Sequence, residues 1–227
     1  MERKQPIQLN EKLFLKDPTS SEVGSSIVTQ GAAMMEAMGL EAFTFKKLAI
    51  QLKTNESSIY RYFENKHRLL LYLVDYYWQW LEQRVLDHTH DLTSPQQKID
   101  AMLKVIMLRT ESNMISGGIA LDLRILHRLV IKEGSKSYLT SHVAEDNSLQ
   151  LFKPYKDLCA RIADIFLEVN PAYPYARSLS STVLEMAHFQ YFFMHNLPRL
   201  TDFGREKDEL EIVRFLKHLI TSSLATK

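Results

Sequence analysis

The sequence is short of cysteine and of the residues that interrupt helices. Its 227 residues include 7 glycines, 7 prolines and a single cysteine. One cysteine, Cys159, excludes an internal disulfide, which fits a chain that stays in a reducing compartment. No stretch of the sequence approaches the roughly 20 apolar residues that span a bilayer, and Met1 to Leu15 lacks the apolar centre of a signal peptide. We therefore expect a cytoplasmic protein.

The sequence also lacks an excess of either charge. Its 28 Lys and Arg residues face 27 Asp and Glu residues, which leaves a formal net charge of +1. This balance argues against a nucleic-acid binder that is basic over its whole surface, but it allows a local basic face on a small DNA-reading domain. The length suffices for one large domain, or for a small domain followed by a larger one.

Helical periodicity is what the sequence has in abundance. Apolar residues recur at helical spacing over long stretches and few segments alternate apolar with polar, which predicts an all-α fold. The residues expected to cap or end the first four helices are Thr19 with Glu22 in capping-box spacing, Gly39, Thr44, Asn55 and Asn65. Five later helices are predicted at roughly Gln96 to Ser112, Ile119 to Lys132, Ser148 to Val169, Tyr175 to Asn196 and Arg205 to Ser223.

Two short helices joined by about three residues predict a helix-turn-helix within the first 70 positions. Ala49 favours this arrangement because a small residue lets the two helices approach closely. The second of these helices would enter the major groove by its N-terminal end. There it would present short polar side chains to base edges: Asn55, Glu56, Ser57 and Ser58.

Residues around these helices are of the types that bind backbone phosphates. Thr44 and Lys66 are each predicted at a helix N-terminus, where N–H groups and the helix dipole attract anions. The remaining candidates for this clamp are Lys46, Arg61 and the hydroxyls of Tyr60 and Tyr62.

The segments Thr44 to Ala49 and Ser57 to Lys66 resemble the tetracycline-repressor (TetR) family, and the resemblance extends over about Ile27 to Leu73. That family carries a threonine before its second helix, then a leucine-tyrosine pair, an aromatic or histidine, a phenylalanine, and an asparagine- or serine-lysine pair before a leucine-rich helix. The resemblance implies phosphate contacts from Thr44, Tyr60 and Lys66. It implies that the residues reading or flanking bases are Asn55, Glu56, Ser57, Ser58, Arg61 and Tyr62.

The resemblance also implies a transcriptional regulator. Such a protein binds a palindromic operator in double-stranded DNA as a homodimer, and we expect a repressor that a small-molecule ligand releases. On this basis residues 1–18 form an N-terminal arm, 19–66 the DNA-binding domain, and 67–227 a ligand-binding and dimerisation domain.

Two features depart from the family pattern. The turn between the two short helices holds Lys53 and Thr54, where the family has a glycine and then a hydrophobic residue. A non-glycine residue at positive φ costs around 1 kcal/mol. Glu56 brings a negative charge towards DNA, although it can accept a hydrogen bond from cytosine N4. These departures keep a second hypothesis open, a helical small-molecule or protein-interaction module that has lost DNA binding.

The C-terminal two thirds carries candidates for a ligand pocket and for a dimer interface. Methionine adapts to varied ligands, and the predicted pocket residues are Met102, Ile106, Met107, Leu126, Phe166, Met186, His188, Phe189 and Met194. The predicted interface residues are Leu179, Val183, Gln190, Phe193, Leu197, Ile212, Phe215, Leu216 and Leu219. For both sets the alternative is plain intramolecular core.

The patterns that indicate an enzyme are weak. Glu185 and His188 have the Glu-x-x-His spacing of di-iron helix bundles, but such bundles need two of these motifs and two further carboxylates. Cys159 lies in an apolar helix and is interpreted as a small core residue. We therefore predict no catalytic residue, no metal and no cofactor.

Overall fold

A computed structural model describes Ile7 and residues 9–107, 113–116, 119–205 and 207–225. The α-helices within these ranges are α1 (Glu22–Ala42), α2 (Phe45–Gln51), α3 (Glu56–Tyr60), α4 (Lys66–Thr89), α5 (Pro95–Met107), α6 (Leu123–Glu133), α7 (Val143–Ser148), α8 (Lys153–Val169), α9 (Ala176–Asn196) and α10 (Glu209–Leu224). The all-α prediction is confirmed in its main feature. In the described ranges, no helix has both the length and the apolar character needed to cross a bilayer.

A short hairpin interrupts the helical order between α5 and α6. Strands β1 (Asn113–Ser116) and β2 (Ile119–Asp122) pair antiparallel. The sequence analysis placed a helix start at Ile119, which is wrong: α6 begins at Leu123, and Asp122 caps it by accepting a hydrogen bond of 2.8 Å from the N–H of Arg124. Four residues of β2 alternate between buried and less buried positions, a run too short to stand out from helical spacing. The predicted helix end at Ser112 lies outside the described residues.

The segment between α6 and α8, for which the sequence predicted no helix before Ser148, contains further structure. It contains a 3-10 turn (Gly134–Ser137) and α7, and α8 begins at Lys153 rather than Ser148. Gln150 has φ 59°, which breaks the helical path between α7 and α8. Pro154 then occupies the first turn of α8, where the missing N–H costs nothing.

Local interactions and backbone conformation determine where helix α1 begins and where its regular part ends. Its N-cap is Ser21, whose Oγ accepts from the N–H of Gly24, so the expected Thr19 capping box is wrong. Thr19 instead lies in a preceding 3-10 turn and donates to Asp17. Gly39 leaves the helical conformation at φ 78° and ψ 157°, a region that glycine alone adopts readily. The prediction that Gly39 ends the regular helix is confirmed, and one more turn follows it.

The chain divides into two compact units. The first comprises residues 1–79 with 111–153, and the second comprises 80–110 with 154–227. In the first, α1 packs against α6 and β2, and ion pairs join Glu36 to Arg128 and Lys132. In the second, α10 packs against α5 and α9. The functional division at residues 18 and 66 stays a prediction.

Candidate nucleic-acid interface

Side-chain caps hold the two short helices α2 and α3 in place. The Oγ1 of Thr44 accepts a hydrogen bond of 3.2 Å from the N–H of Lys47, and the Oδ1 of Asn55 accepts one of 2.9 Å from the N–H of Ser58. Both predicted N-caps are confirmed. Helices this short are unstable alone, so their caps and their packing against the core decide their position.

The turn between α2 and α3 is a Schellman motif. The N–H of Lys53 donates to the carbonyl of Ile50 at 3.1 Å, and the N–H of Thr54 donates to that of Ala49 at 2.9 Å. This pair of bonds requires a left-handed residue between the helices, and Lys53 supplies it with φ 53°. Lysine therefore takes the backbone conformation expected of glycine, and the departure at this position costs energy without changing the geometry of the turn.

Aromatic packing fixes α3 on α2. Ile59 and Phe63 are fully buried, and Phe45 and Ala49 are nearly so. The ring of Tyr60 meets that of Phe45 edge to face with centroids 5.1 Å apart. Because 48% of Tyr60 stays exposed, its hydroxyl is available to a partner in solution.

The exposed face of α3 carries four of the predicted DNA contacts: Asn55, Ser57, Tyr60 and Arg61. The Oδ1 of Asn55 already accepts from the hydroxyls of Ser57 and Ser58 as well as from the N–H of Ser58. Paired recognition of adenine needs both the oxygen and the amide nitrogen of an asparagine side chain, so Asn55 retains only its amide N–H groups for DNA. Glu56 is half-buried in the first turn of α3.

Ser58 and Tyr62 are buried within the first unit, at 7% and 4% exposure. The hydroxyl of Tyr62 shares a hydrogen bond of 2.7 Å with that of Ser21, and the Tyr62 carbonyl accepts from the N–H of Leu15 at 2.7 Å. Both side chains are therefore buried in this structure, and the DNA contacts expected of them stay a prediction. The burial of Tyr62 could have been predicted from helical spacing, because Tyr62 shares the inner face with Ile59 and Phe63.

The ammonium of Lys66 is engaged inside the protein. It donates to the carbonyls of Leu40, Glu41 and Phe43 at 2.7, 3.1 and 3.2 Å. All three of its protons therefore have acceptors at the end of α1, where a cation is favoured by the helix dipole. Asn65 caps α4 as predicted, by accepting from the N–H of Arg68 at 2.9 Å. Lys66 ties α4 to α1, and the phosphate contact expected of it would require replacing these bonds.

Sequence reasoning missed the segment that precedes α1. Leu13 is fully buried, and the Nζ of Lys16 lies 5.2 Å from the centroid of the Tyr62 ring. The hydrogen bond with Ser21, together with the Lys16 and Arg61 cations, lowers the pKa of Tyr62 although burial opposes the shift. The spacing of Leu13, Leu15 and Lys16 before Pro18 carries no periodic signal that would have revealed this packing.

The predicted pocket residues are distributed over both units. Leu126 belongs to the first unit, and the others belong to the second. The fully or almost fully buried members are Met102, Ile106, Met107, Leu126, Phe166, His188 and Met194. Met186 is half-buried and Phe189 is 43% exposed. A common pocket stays a prediction.

The predicted dimer residues divide into core and surface. The four that are buried within their own chain are Leu179, Val183, Ile212 and Leu216, which gives them the intramolecular role named as the alternative. Leu197 and Phe215 are exposed, and Gln190, Phe193 and Leu219 are partly so. We call Phe189, Phe193, Leu197 and Phe215 the aromatic face. Phe189 and Phe193 stack in it with centroids 6.0 Å apart.

The second unit contains Glu185 and Cys159, which the sequence analysis considered as possible enzyme residues. The Tyr155 hydroxyl donates to Glu185 at 2.8 Å. Burial raises the pKa of Cys159 to about 11, so its thiol is protonated near neutral pH. Among the described residues, no three histidine, cysteine or carboxylate side chains are placed to hold a metal ion.

A capped pair of short helices, a tight turn and an exposed polar face on the second helix define a helix-turn-helix protein of the DNA-binding class. Residues 27–73 match the family model described as "Bacterial regulatory proteins, tetR family". This segment of the chain is therefore similar to the DNA-binding domain of that family. No curated protein matches the sequence.

Solved structures of regulators share the fold. The structure of AibR in complex with isovaleryl coenzyme A and operator DNA is 16% identical with a TM-score of 0.58, over 87% of this chain and 97% of that one. The fatty acid degradation regulator FadR from Bacillus halodurans is 12% identical with a TM-score of 0.61, over 91% and 98%. The ketosteroid transcriptional regulator KstR2 of Mycobacterium tuberculosis is 14% identical with a TM-score of 0.53, over 90% and 93%.

Proposed function

We propose that the protein is a sequence-specific DNA-binding transcriptional regulator, a homodimeric repressor that a small molecule releases from its operator. The observation that carries this proposal is the exposed face of α3 behind a well-formed turn, in a segment that matches the TetR family. Ser57, Tyr60 and Arg61 supply a small hydroxyl, a phenol and a guanidinium on that face. These groups suit base edges and phosphates together.

The proposal of a dimer rests on the aromatic face, which would form the interface. Its members Phe189 and Phe193 stack on each other at the surface of α9, and apolar side chains that lie together on a surface mark an interaction site. A two-fold dimer would present two copies of α3 to the two halves of a palindromic site. Phe193, Leu197 and Phe215 come from the predicted interface residues, and Phe189 comes from the predicted pocket residues.

The proposal that the protein binds a ligand rests on the composition of the second unit and on similar proteins. Buried Met102, Ile106 and Phe166 provide apolar, adaptable surface. The AibR structure contains isovaleryl coenzyme A with operator DNA. We infer a small molecule with a substantial apolar part, whose binding favours a conformation that holds DNA less well.

The test is DNA binding by the full-length protein to a duplex enriched from a randomised library. Fluorescence anisotropy at stated salt compares the wild type with Arg61→Gln and with Lys104→Gln, which removes an exposed cation from α5. We expect Arg61→Gln to weaken binding and Lys104→Gln to leave it unchanged. A wild type that binds no duplex better than random DNA would instead favour a module that has lost DNA binding.

A further inference from the structure

The segment from Asn10 to Ser21 is a fixed part of the first unit, and from here on we use the name arm for this segment in place of the predicted residues 1–18. Leu13 is fully buried, and the N–H of Leu15 donates to the carbonyl of Tyr62 at 2.7 Å. The amide of Asn10 donates to the carbonyl of Leu149 at 2.9 Å. The Leu15 bond holds the arm against Tyr62, just after α3, and the Asn10 bond ties it to the residue that follows α7.

The arm places a cation beside the end of α3. The Nζ of Lys16 lies over the ring of Tyr62, and Lys16 and Arg61 both act on the same phenol hydroxyl to lower its pKa. Both cations are exposed. The guanidinium of Arg61 donates to the hydroxyl of Ser58 at 3.3 Å, so it also lies at the end of α3. An anion bound near both cations would offset their mutual repulsion.

Within the described ranges, no carboxylate forms an ion pair with Lys16 or Arg61. The neighbouring Asp17 uses its Oδ1 to accept from the N–H and the hydroxyl of Thr19 at 2.8 and 2.7 Å. Some other cations of the chain have carboxylate partners, as Lys98 has Glu168 and Arg161 has Glu82. Lys16 and Arg61 therefore form a local basic site in a nearly neutral protein.

We infer that Lys16 is a DNA-contacting residue, and that with Arg61 it clamps a backbone phosphate alongside α3. The ring of buried Tyr62 then orients the side chain of Lys16. The ammonium of Lys16, rather than the hydroxyl of Tyr62, contacts the DNA. This inference rests on the proposed DNA-binding function. It extends the interface to the arm, beyond the residues 27–73 that match the family.

The test measures how affinity depends on salt for the full-length protein and its enriched duplex. Each phosphate contact contributes about 0.9 to the slope of log K against log salt concentration. We expect Lys16→Gln to reduce the slope by about 0.9 per protomer and to weaken operator and random duplexes alike. Lys16→Arg should retain the wild-type slope.

Lys12→Gln is the matched control, because Lys12 is an exposed lysine of the same arm. We expect it to leave the slope unchanged. The inference is overturned if wild type binds specifically and Lys16→Gln keeps the full slope, or if Lys12→Gln reduces it equally. A wild type without specific binding would instead overturn the proposed function, so the two failures are distinguishable.

Discussion

The ammonium of Lys66 donates a hydrogen bond of 2.7 Å to the carbonyl of Leu40. This bond and two others join the first residue of α4 to the last turn of α1, across α2 and α3. Lys47 adds a bond of 2.6 Å to the carbonyl of Ala42 in the same turn. Lys66 thus ties α4 to the end of α1, and Lys47 ties α2 to the same end.

Replacing Lys66 with alanine should destabilise the protein by about 1.5–3 kcal/mol, the range for hydrogen bonds to a charged group. DNA binding should weaken because α2 and α3 lose their fixed position, but the salt slope should stay unchanged. Chemical unfolding and salt-dependent anisotropy measure the two effects. Lys46→Ala is the comparison, since this exposed lysine should flatten the slope without a loss of stability. A flattened slope for Lys66→Ala at full stability would show a phosphate contact instead.

Replacing Lys53 with glycine should stabilise the protein. Its φ of 53° strains a residue that has a Cβ, and glycine removes about 1 kcal/mol of that strain. Lys53→Ala keeps the Cβ and should give no such gain, which separates backbone strain from loss of the charge. The free energy of unfolding measured in denaturant tests this prediction. Equal values for the two variants would contradict the claim that the backbone at Lys53 is strained.

Asp75 should make stability depend on pH. Its side chain is 1% exposed, and burial raises its pKa to about 8. The folded state therefore keeps a proton that the unfolded state releases from about pH 4 upwards, so this residue's contribution to stability falls as pH rises towards 8. Asp75→Asn should remove that fall and be more stable than wild type at pH 8, with the difference shrinking near pH 4. Parallel pH profiles of unfolding for the two proteins would refute the burial effect.

The ion pair of Arg68 and Asp146 should affect the free energy of unfolding more than a surface ion pair does. Asp146 is almost fully buried, and it accepts from the guanidinium of Arg68 at 2.7 Å. Arg68→Met leaves a buried charge without this partner and should cost about 3–5 kcal/mol. The double variant Arg68→Met with Asp146→Leu should recover much of that loss. Unfolding free energies of Arg68→Met, Asp146→Leu, the double variant and wild type form the cycle, and simple additivity would contradict direct coupling.

The aromatic face should control the oligomeric state. Phe189→Arg places a charge on an exposed member of this face and should convert a dimer into monomers, measured by light scattering. Leu139→Arg changes an equally apolar residue that is 75% exposed in the first unit, and it should leave the dimer intact. Dimers that persist in Phe189→Arg would place the interface elsewhere.

Local signals made the helix-turn-helix predictable. The caps Thr44, Asn55 and Asn65 act within three or four residues, and the left-handed turn at Lys53 follows from its position between two helices. The sequence did not reveal the partners of Tyr62 and Lys66, because Ser21 lies 41 positions from Tyr62, and Leu40 lies 26 from Lys66. Which polar side chain faces DNA and which is bound inside the protein depends on such distant contacts.

The most direct test of the central claim is selection of duplexes from a randomised library by the full-length protein. If two copies of α3 read DNA, the enriched sequences should contain an inverted repeat. Its half-sites should lie about one helical turn, ~34–36 Å, apart or at a multiple of that spacing. Arg61→Gln should lose the enrichment. A library that stays random after selection with a folded wild-type protein would contradict DNA reading by α3.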